Sequence, residues 1–262
     1  MNKRPLIIAH RGASSIAPEN TLIAFQRALA AGADGLEFDV RIAADNVPVV
    51  IHDKDLRRTA GLNRRVRDMA STELKTIDVG TWFARANNLS HLQFGQETIP
   101  TLDDVLRICL NHQVTLYLEM KCNEEEREPL VDACIASLAR VQIRGTVVVE
   151  SFDLEAISLF KNKAPRFRTA ALFEPSLFSP QIYVGNNLVN RAKAVRADEV
   201  ALHRKLATRA ITTCARSAHL GVVLWTVDSP YWINRARSLG VDAVITNFPA
   251  VMLQRRESQR IV

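Results

Sequence analysis

The sequence predicts a closed (β/α)8 barrel, the TIM barrel of the α/β class, and three observations carry that expectation. Eight short apolar runs of strand length recur along the chain. Amphipathic helical patterns separate most of them, and strands that alternate with helices pair in parallel. The chain has 262 residues, and about 250 is usual for one such barrel. Residues 1–262 are therefore expected to form one barrel domain, with an insertion at about 54–100.

The first run, residues 6–10 (LIIAH), reads as a strand that ends on His10. Residues 21–31 carry Leu22, Phe25, Ala28 and Leu29 on one helical face and stop at Gly32, a natural position for a helix to end. A second strand spans 35–40 (GLEFDV). Asp45-Asn46 then marks a turn between two apolar runs, so 39–53 reads as a β-hairpin with Asp39 roughly opposite His52. Residues 54–100 fit no barrel repeat, and Pro100 opens the next helix. A barrel carries such insertions at its C-terminal face, where catalytic residues gather. From there, helical patterns at 102–111, 125–139, 154–162, 206–218 and 230–239 alternate with strands at 115–120, 146–150, 168–173, 199–203, 221–227 and 242–246. Pro175, Pro180 and Gly185 blur the pattern over 174–197.

Composition narrows the function classes. With 47% hydrophobic and 24% charged residues, the chain has enough apolar surface to fold, which excludes a disordered protein. A membrane-spanning helix needs ~20 consecutive apolar residues, and no such run exists. The N-terminal apolar stretch stops at His10 and Arg11, too early for a signal peptide. Cys109, Cys122, Cys134 and Cys214 form no CxxC pair and lie far from zinc spacing, so a reducing, cytoplasmic setting is expected. A net charge of +6 is compatible with an anionic substrate. Aromatic residues are 6% of the chain and no stacking stripe interleaves the basic residues, which argues against nucleic acid as a partner.

The chemistry-bearing residues follow from strand period. Glu37 and Asp39 share one face of 35–40, with Leu36, Phe38 and Val40 on the other. In 115–121 (TLYLEMK), Glu119 and Lys121 share a face in the same way. Three carboxylates converging without sulfur or imidazole suit a hard cation, Mg2+ or Ca2+; inner-barrel salt bridges are the alternative. His10 ends the first strand and His52 closes the hairpin. Two rim histidines suit acid–base work on a phosphoryl group, with Arg11 and Lys121 on its non-bridging oxygens. Taken singly, Asn20 reads as a helix N-cap and Glu19 as a neighbour of the helix's positive end.

Residues 10–21 (HRGASSIAPENT) join these with 37–39 (EFD), 52–53 (HD), 119–121 (EMK), 151–152 (SF), 225–227 (WTV) and 246–249 (TNFP). In that combination and order the sequence resembles the glycerophosphodiester phosphodiesterase family, from His10 to Pro249. The resemblance implies a TIM barrel with an inserted region after the second strand. It implies a metal on Glu37, Asp39 and Glu119, an acid–base pair on His10 and His52, phosphate-binding cations on Arg11 and Lys121, and an organising role for Glu19 and Asn20. The implied reaction is hydrolysis of a glycerophosphodiester to sn-glycerol 3-phosphate and an alcohol such as choline or ethanolamine. Departures from the family pattern are Cys122-Asn123, where proline is common, Asp228, where asparagine is common, and the basic residues 204–207 after His203. Trp225 stacks on the glycerol or packs in the core, Phe152 is a candidate pocket residue, and His203 is a candidate substrate contact or stands one layer behind it. The arginines of 57–67 form a solvated face or guide an anionic diester. A lysophospholipase D acting on longer lipid diesters, or a non-catalytic diester-binding barrel, is the alternative reading; the polar insertion argues against the first, and the complete histidine and carboxylate set against the second.

Overall fold

The structure is a computed structural model, and it describes residues 4–90, 93–175 and 187–258. Nine strands form its one sheet: β1 (Leu6–His10), β2 (Gly35–Ile42), β3 (Pro48–Val50), β4 (Thr115–Met120), β5 (Val147–Ser151), β6 (Arg168–Phe173), β7 (Glu199–His203), β8 (Gly221–Trp225) and β9 (Ala243–Thr246). All but β3 run parallel, and β1 pairs with both β2 and β9, so eight strands close into a barrel. β3 continues from β2 as the antiparallel arm of a hairpin.

The strands are sorted by period two into an inner and an outer face. Leu36, Phe38 and Val40 of β2 and Leu116, Leu118 and Met120 of β4 face outward into the large core under the helices. Phe38 meets Phe25 of helix α1 (Leu22–Ala30) edge to face, with ring centroids 5.8 Å apart. The inner face is filled low in the barrel by Ile8, Tyr117, Val148, Ala201 and Val223. Lower still, the Tyr117 hydroxyl donates to Glu199 at 2.9 Å, and Arg168 pairs with the same carboxylate at 2.8 Å. The barrel is thus a packed core that leaves room only near the C-terminal ends of its strands.

Between β3 and the helix at Leu102–Cys109 come three short helices, α2 (Arg57–Ala60), α3 (Ser71–Leu74) and α4 (Thr81–Ala86). Leu56, Val66, Met69, Leu74, Val79 and Ile99 bury one apolar cluster with Val49 and Ile51 of the hairpin arm. The later helices are α5 (Leu102–Cys109), α6 (Glu124–Arg140), α7 (Leu154–Lys163), α8 (Asn187–Ala194), α9 (Arg209–Ser217), α10 (Trp232–Ser238) and α11 (Pro249–Ser258). Thr101 and Asp104 form a capping box that starts α5, one residue after the expected Pro100. Asn123, at a departure from the family pattern, does the same for α6 with Glu126. The sequence pattern missed α8 and α11, which bury Leu188, Val189 and Ala192, and Pro249, Met252 and Leu253. Pro180 and Gly185, of the blurred stretch 174–197, lie outside the described residues. Among the described residues, no helix is long and apolar enough to cross a membrane.

The hairpin differs from expectation by one residue. Val40 faces Val50 and Ile42 faces Pro48, so Asp39 pairs with Ile51 rather than His52, through Ile51 N–H to Asp39 O at 2.9 Å. Asn46, at φ 58°, turns the loop in the left-handed region and sets this register. His52 therefore lies just past the ladder, at the rim.

Phe38→Ala tests the outer layer. The side chain is fully buried, and its loss is expected to cost about 3–5 kcal/mol, read as a lower denaturation midpoint with little change in m-value.

Candidate active site

The strand ends and the loops after them build one cavity of about 330 Å3 at the C-terminal end of the barrel. His10, Arg11, Glu37, His52, Glu119 and Lys121 line its charged side. Glu150, Phe152, Leu172, Glu174, Trp225 and Ile245 complete the lining. Period two explains the set: register aligns Asp39, Glu119 and Glu150 across β2, β4 and β5, all pointing inward, and pairs His10 with Glu37.

Arg11 follows β1 with a positive φ of 54°, and Gly12 follows at 82°. Only glycine fits the second position, because an added Cβ would lie 2.6 Å from the Ala24 carbonyl carbon. This sharp turn brings the Arg11 backbone N–H to Glu37 at 3.0 Å and aims the guanidinium back over the site. It pairs with Asp39 and with Glu19, both at 3.0 Å. Asn20 is not the N-cap of α1; Thr21 is, through Ala24 N–H. Asn20 instead sits in the left-handed region, at φ 59°, and its amide donates to Asp39 at 2.8 Å.

Glu37, Asp39 and Glu119 are buried, and each offers an oxygen within 4.8 Å of the others. Burial alone would raise all three carboxyls. For Asp39, Arg11 and then Lys121 outweigh it and hold the group far below the carboxylate range. Burial and then Asp39 keep Glu37 well above that range. Burial lifts Glu119 to about 7 against the pull of Lys121, whose ammonium lies 2.6 Å away. Three carboxyl groups there face two cations, Arg11 and Lys121. Asp39 Oδ1 and Glu150 Oε2 are buried without a hydrogen bond; Lys121 lies 3.3 Å from Asp39 Oδ1 but is not aligned with it. Hard oxygen donors, unsatisfied and outnumbering the cations beside them, fit a divalent cation.

The histidines stand on two sides of this cluster. His10 Nδ1 lies 2.7 Å from Asn247 Oδ1, and its Nε2 is 3.8 Å from Glu37. Burial and then Arg11 push the ring down to about 4, so it is neutral at neutral pH. His52 Nδ1 lies 2.7 Å from Asp53, and burial chiefly lowers its pKa as well. Arg58 of α2 bonds both Asp53 and Glu19 at 2.6 Å and lies 5.3 Å from the Trp82 ring centre, so it is tied to the site although it remains exposed. On the far wall, Phe152 and His203 each meet Trp225 edge-on, at 5.5 and 5.3 Å. Trp225 spans pocket and wall, with its indole N–H on Ala201 O. Every sequence-derived site residue is thus near the cavity, although Glu19, Asn20, Asp39 and His203 stand behind its lining.

The profile of the glycerophosphoryl diester phosphodiesterase family matches residues 10–251. The chain belongs to that family. Membership makes it an enzyme, a phosphoric diester hydrolase acting on glycerophosphodiesters. A glycerophosphodiester phosphodiesterase of Bacillus altitudinis is 31% identical over 258 residues, covering 97% of this chain and 99% of the relative. A phosphodiesterase of Oleispira antarctica, solved in complex with the product sn-glycerol 3-phosphate, superposes with a TM-score of 0.84 at 25% identity, covering 97% of both chains. A glycerophosphodiester phosphodiesterase of Agrobacterium tumefaciens superposes with a TM-score of 0.72 at 27% identity, over 95% of this chain and 99% of that one.

Sequence reasoning missed Glu150 and Asn247. Glu150 closes the run 146–150, two residues after inward-facing Val148, and that spacing was the available signal. Asn20→Ala is expected to cost about 1.5–3 kcal/mol of stability, the worth of a hydrogen bond to a charged group, with added strain from alanine at positive φ; equilibrium denaturation measures it.

Proposed function

We propose that the chain hydrolyses glycerophosphodiesters to sn-glycerol 3-phosphate and an alcohol, with a divalent cation and with His10 and His52 as the acid–base pair. The observation that carries this reading is the three-carboxylate cluster, set beside two histidines and two cations on one cavity. The Oleispira antarctica relative, which binds that product, supports the same substrate class.

Glu37, Asp39 and Glu119 would hold Mg2+ or Ca2+, which supplies Lewis-acid stabilisation of the phosphoryl charge. Arg11 and Lys121 hold the non-bridging phosphate oxygens, and Glu19 and Asn20 keep Arg11 and Asp39 in place. One histidine takes a proton from the nucleophile, and the other gives a proton to the leaving alcohol. Asp53 orients His52, and Arg58 fixes Asp53 from the insertion, residues 54–100 of the one barrel domain. Phe152 and Trp225 line the apolar wall, against which the glycerol or the alcohol rests. All four cysteines are free, which supports a cytoplasmic setting.

The test is an assay of metal-stripped protein on glycerophosphocholine, coupled to glycerol 3-phosphate detection. Activity is expected only after Mg2+ or Ca2+ is restored. His10→Ala and His52→Ala should each lower kcat by ~10²–10⁴-fold, with non-additive losses in the double variant. A nitrophenyl leaving group needs no proton, so it should rescue the variant that lacks the acid and not the one that lacks the base. Equal responses of both variants, or full activity in excess chelator, would refute the mechanism.

A further inference from the structure

The geometry points to Asp228 as a positioning residue that acts through Asn247 to hold His10 in the Nδ1–H tautomer, with the Nε2 lone pair turned into the cavity. This role rests on His10 serving in proton transfer. Asp228 lies just after β8 and Asn247 just after β9, so neither touches the cavity through the strand pattern that placed the carboxylates.

The Asp228 carboxylate accepts three hydrogen bonds. Asn247 backbone N–H reaches its Oδ1 at 2.8 Å, and the Thr246 hydroxyl the same oxygen at 3.2 Å. The Asn247 side-chain amide reaches its Oδ2 at 2.8 Å. A carboxylate has no hydrogen to give, so only the NH2 group of Asn247 can face it. The amide oxygen must then turn the other way. It meets His10 Nδ1 at 2.7 Å and the Ser14 hydroxyl at 2.9 Å. Ser14 could serve either orientation of the amide, because a hydroxyl both donates and accepts; Asp228 is the group that decides. An amide oxygen only accepts, so Nδ1 carries the hydrogen. In the neutral ring Nε2 is then bare, on the side facing Glu37 and the cavity. His10 thereby enters the reaction as proton acceptor, and the donor role falls to His52, whose Nδ1 partner is the carboxylate of Asp53.

Substitutions follow the same count of donors and acceptors. In Asp228→Asn, one acceptor oxygen remains for the fixed Asn247 backbone N–H, and the new NH2 faces the Asn247 side chain. That amide flips, His10 Nδ1 must accept, and the hydrogen moves to Nε2. In Asn247→Asp, two carboxylates confront each other. In the double exchange, Asp228→Asn with Asn247→Asp, every donor again meets an acceptor. The new amide at position 228 donates to the new carboxylate at position 247, which accepts from His10 Nδ1–H.

The experiment is nitrogen-15 NMR of histidine-labelled protein in Mg2+, with the His10 signals among the six histidines identified by their loss in His10→Ala. It is paired with kcat and KM on glycerophosphocholine. The wild type should show Nε2 as the pyridine-type nitrogen. Asp228→Asn should convert it towards pyrrole type and lower kcat ~10–100-fold with KM nearly unchanged, as expected when an outer partner of a working histidine is lost. The double exchange should restore both the signature and most of kcat, which a merely structural role would not do. A pyrrole-type Nε2 in the wild type overturns the inference, even if the variants fail to fold. So does Asp228→Asn with unchanged kcat and signature. Full turnover in His10→Ala would instead overturn the two-histidine reading, while the wild-type ring signature still decides the relay.

Discussion

Like charges held close together in a low-dielectric interior dominate the top of this barrel. Each pair of carboxylates about 4 Å apart repels by ~4 kcal/mol at an effective dielectric near 20. Glu37, Asp39 and Glu119 form three such pairs, within 4.8 Å of one another. Much of the surrounding architecture answers that repulsion. The left-handed turn at Arg11-Gly12 brings a backbone N–H to Glu37 and a guanidinium to Asp39. The left-handed Asn20 brings an amide to Asp39, and Lys121, two residues along the chain from Glu119, reaches both carboxylates. Arg11 and Lys121 hold the Asp39 carboxyl low, whereas burial keeps those of Glu37 and Glu119 raised.

A second ring of residues holds the first. Glu19 accepts from Arg11 and Arg58, Arg58 also holds Asp53, and Asp53 faces His52. The chain from 57 to 60 thereby closes on the rim of the barrel rather than standing free of it. On the opposite side, Asp228, Asn247 and Ser14 do the equivalent work for His10. The two histidines are therefore oriented by chemically different partners, an amide oxygen and a carboxylate.

Much of this was legible in the sequence because strand period two is a strict rule. It sorts Glu37 with Asp39 and Glu119 with Lys121 onto inward faces from the amino-acid order alone, and the eight parallel strands lie close to the apolar runs. The hairpin register slipped by one because the handedness of the turn at Asn46 leaves no mark in an apolar pattern. Asn20 looked like a cap because asparagine favours both N-caps and left-handed turns, and only the geometry separates the two. The Asp228 carboxylate joins Asn247, 19 residues away, through both its backbone and its side chain, and no periodicity could reveal that. Arg58 is exposed like its neighbours, and only its two carboxylate partners, Glu19 and Asp53, tie it to the site.

The central claim is that the carboxylate cluster is a divalent cation site, and calorimetric titration of metal-free protein with Mg2+ or Ca2+ tests it without reference to turnover. One saturable site is predicted for the wild type, weakened at least ~10-fold in Glu37→Gln and in Glu119→Gln, since each change removes both charge and a donor oxygen. No saturable binding in the folded wild type, or binding that neither substitution alters, would contradict the account.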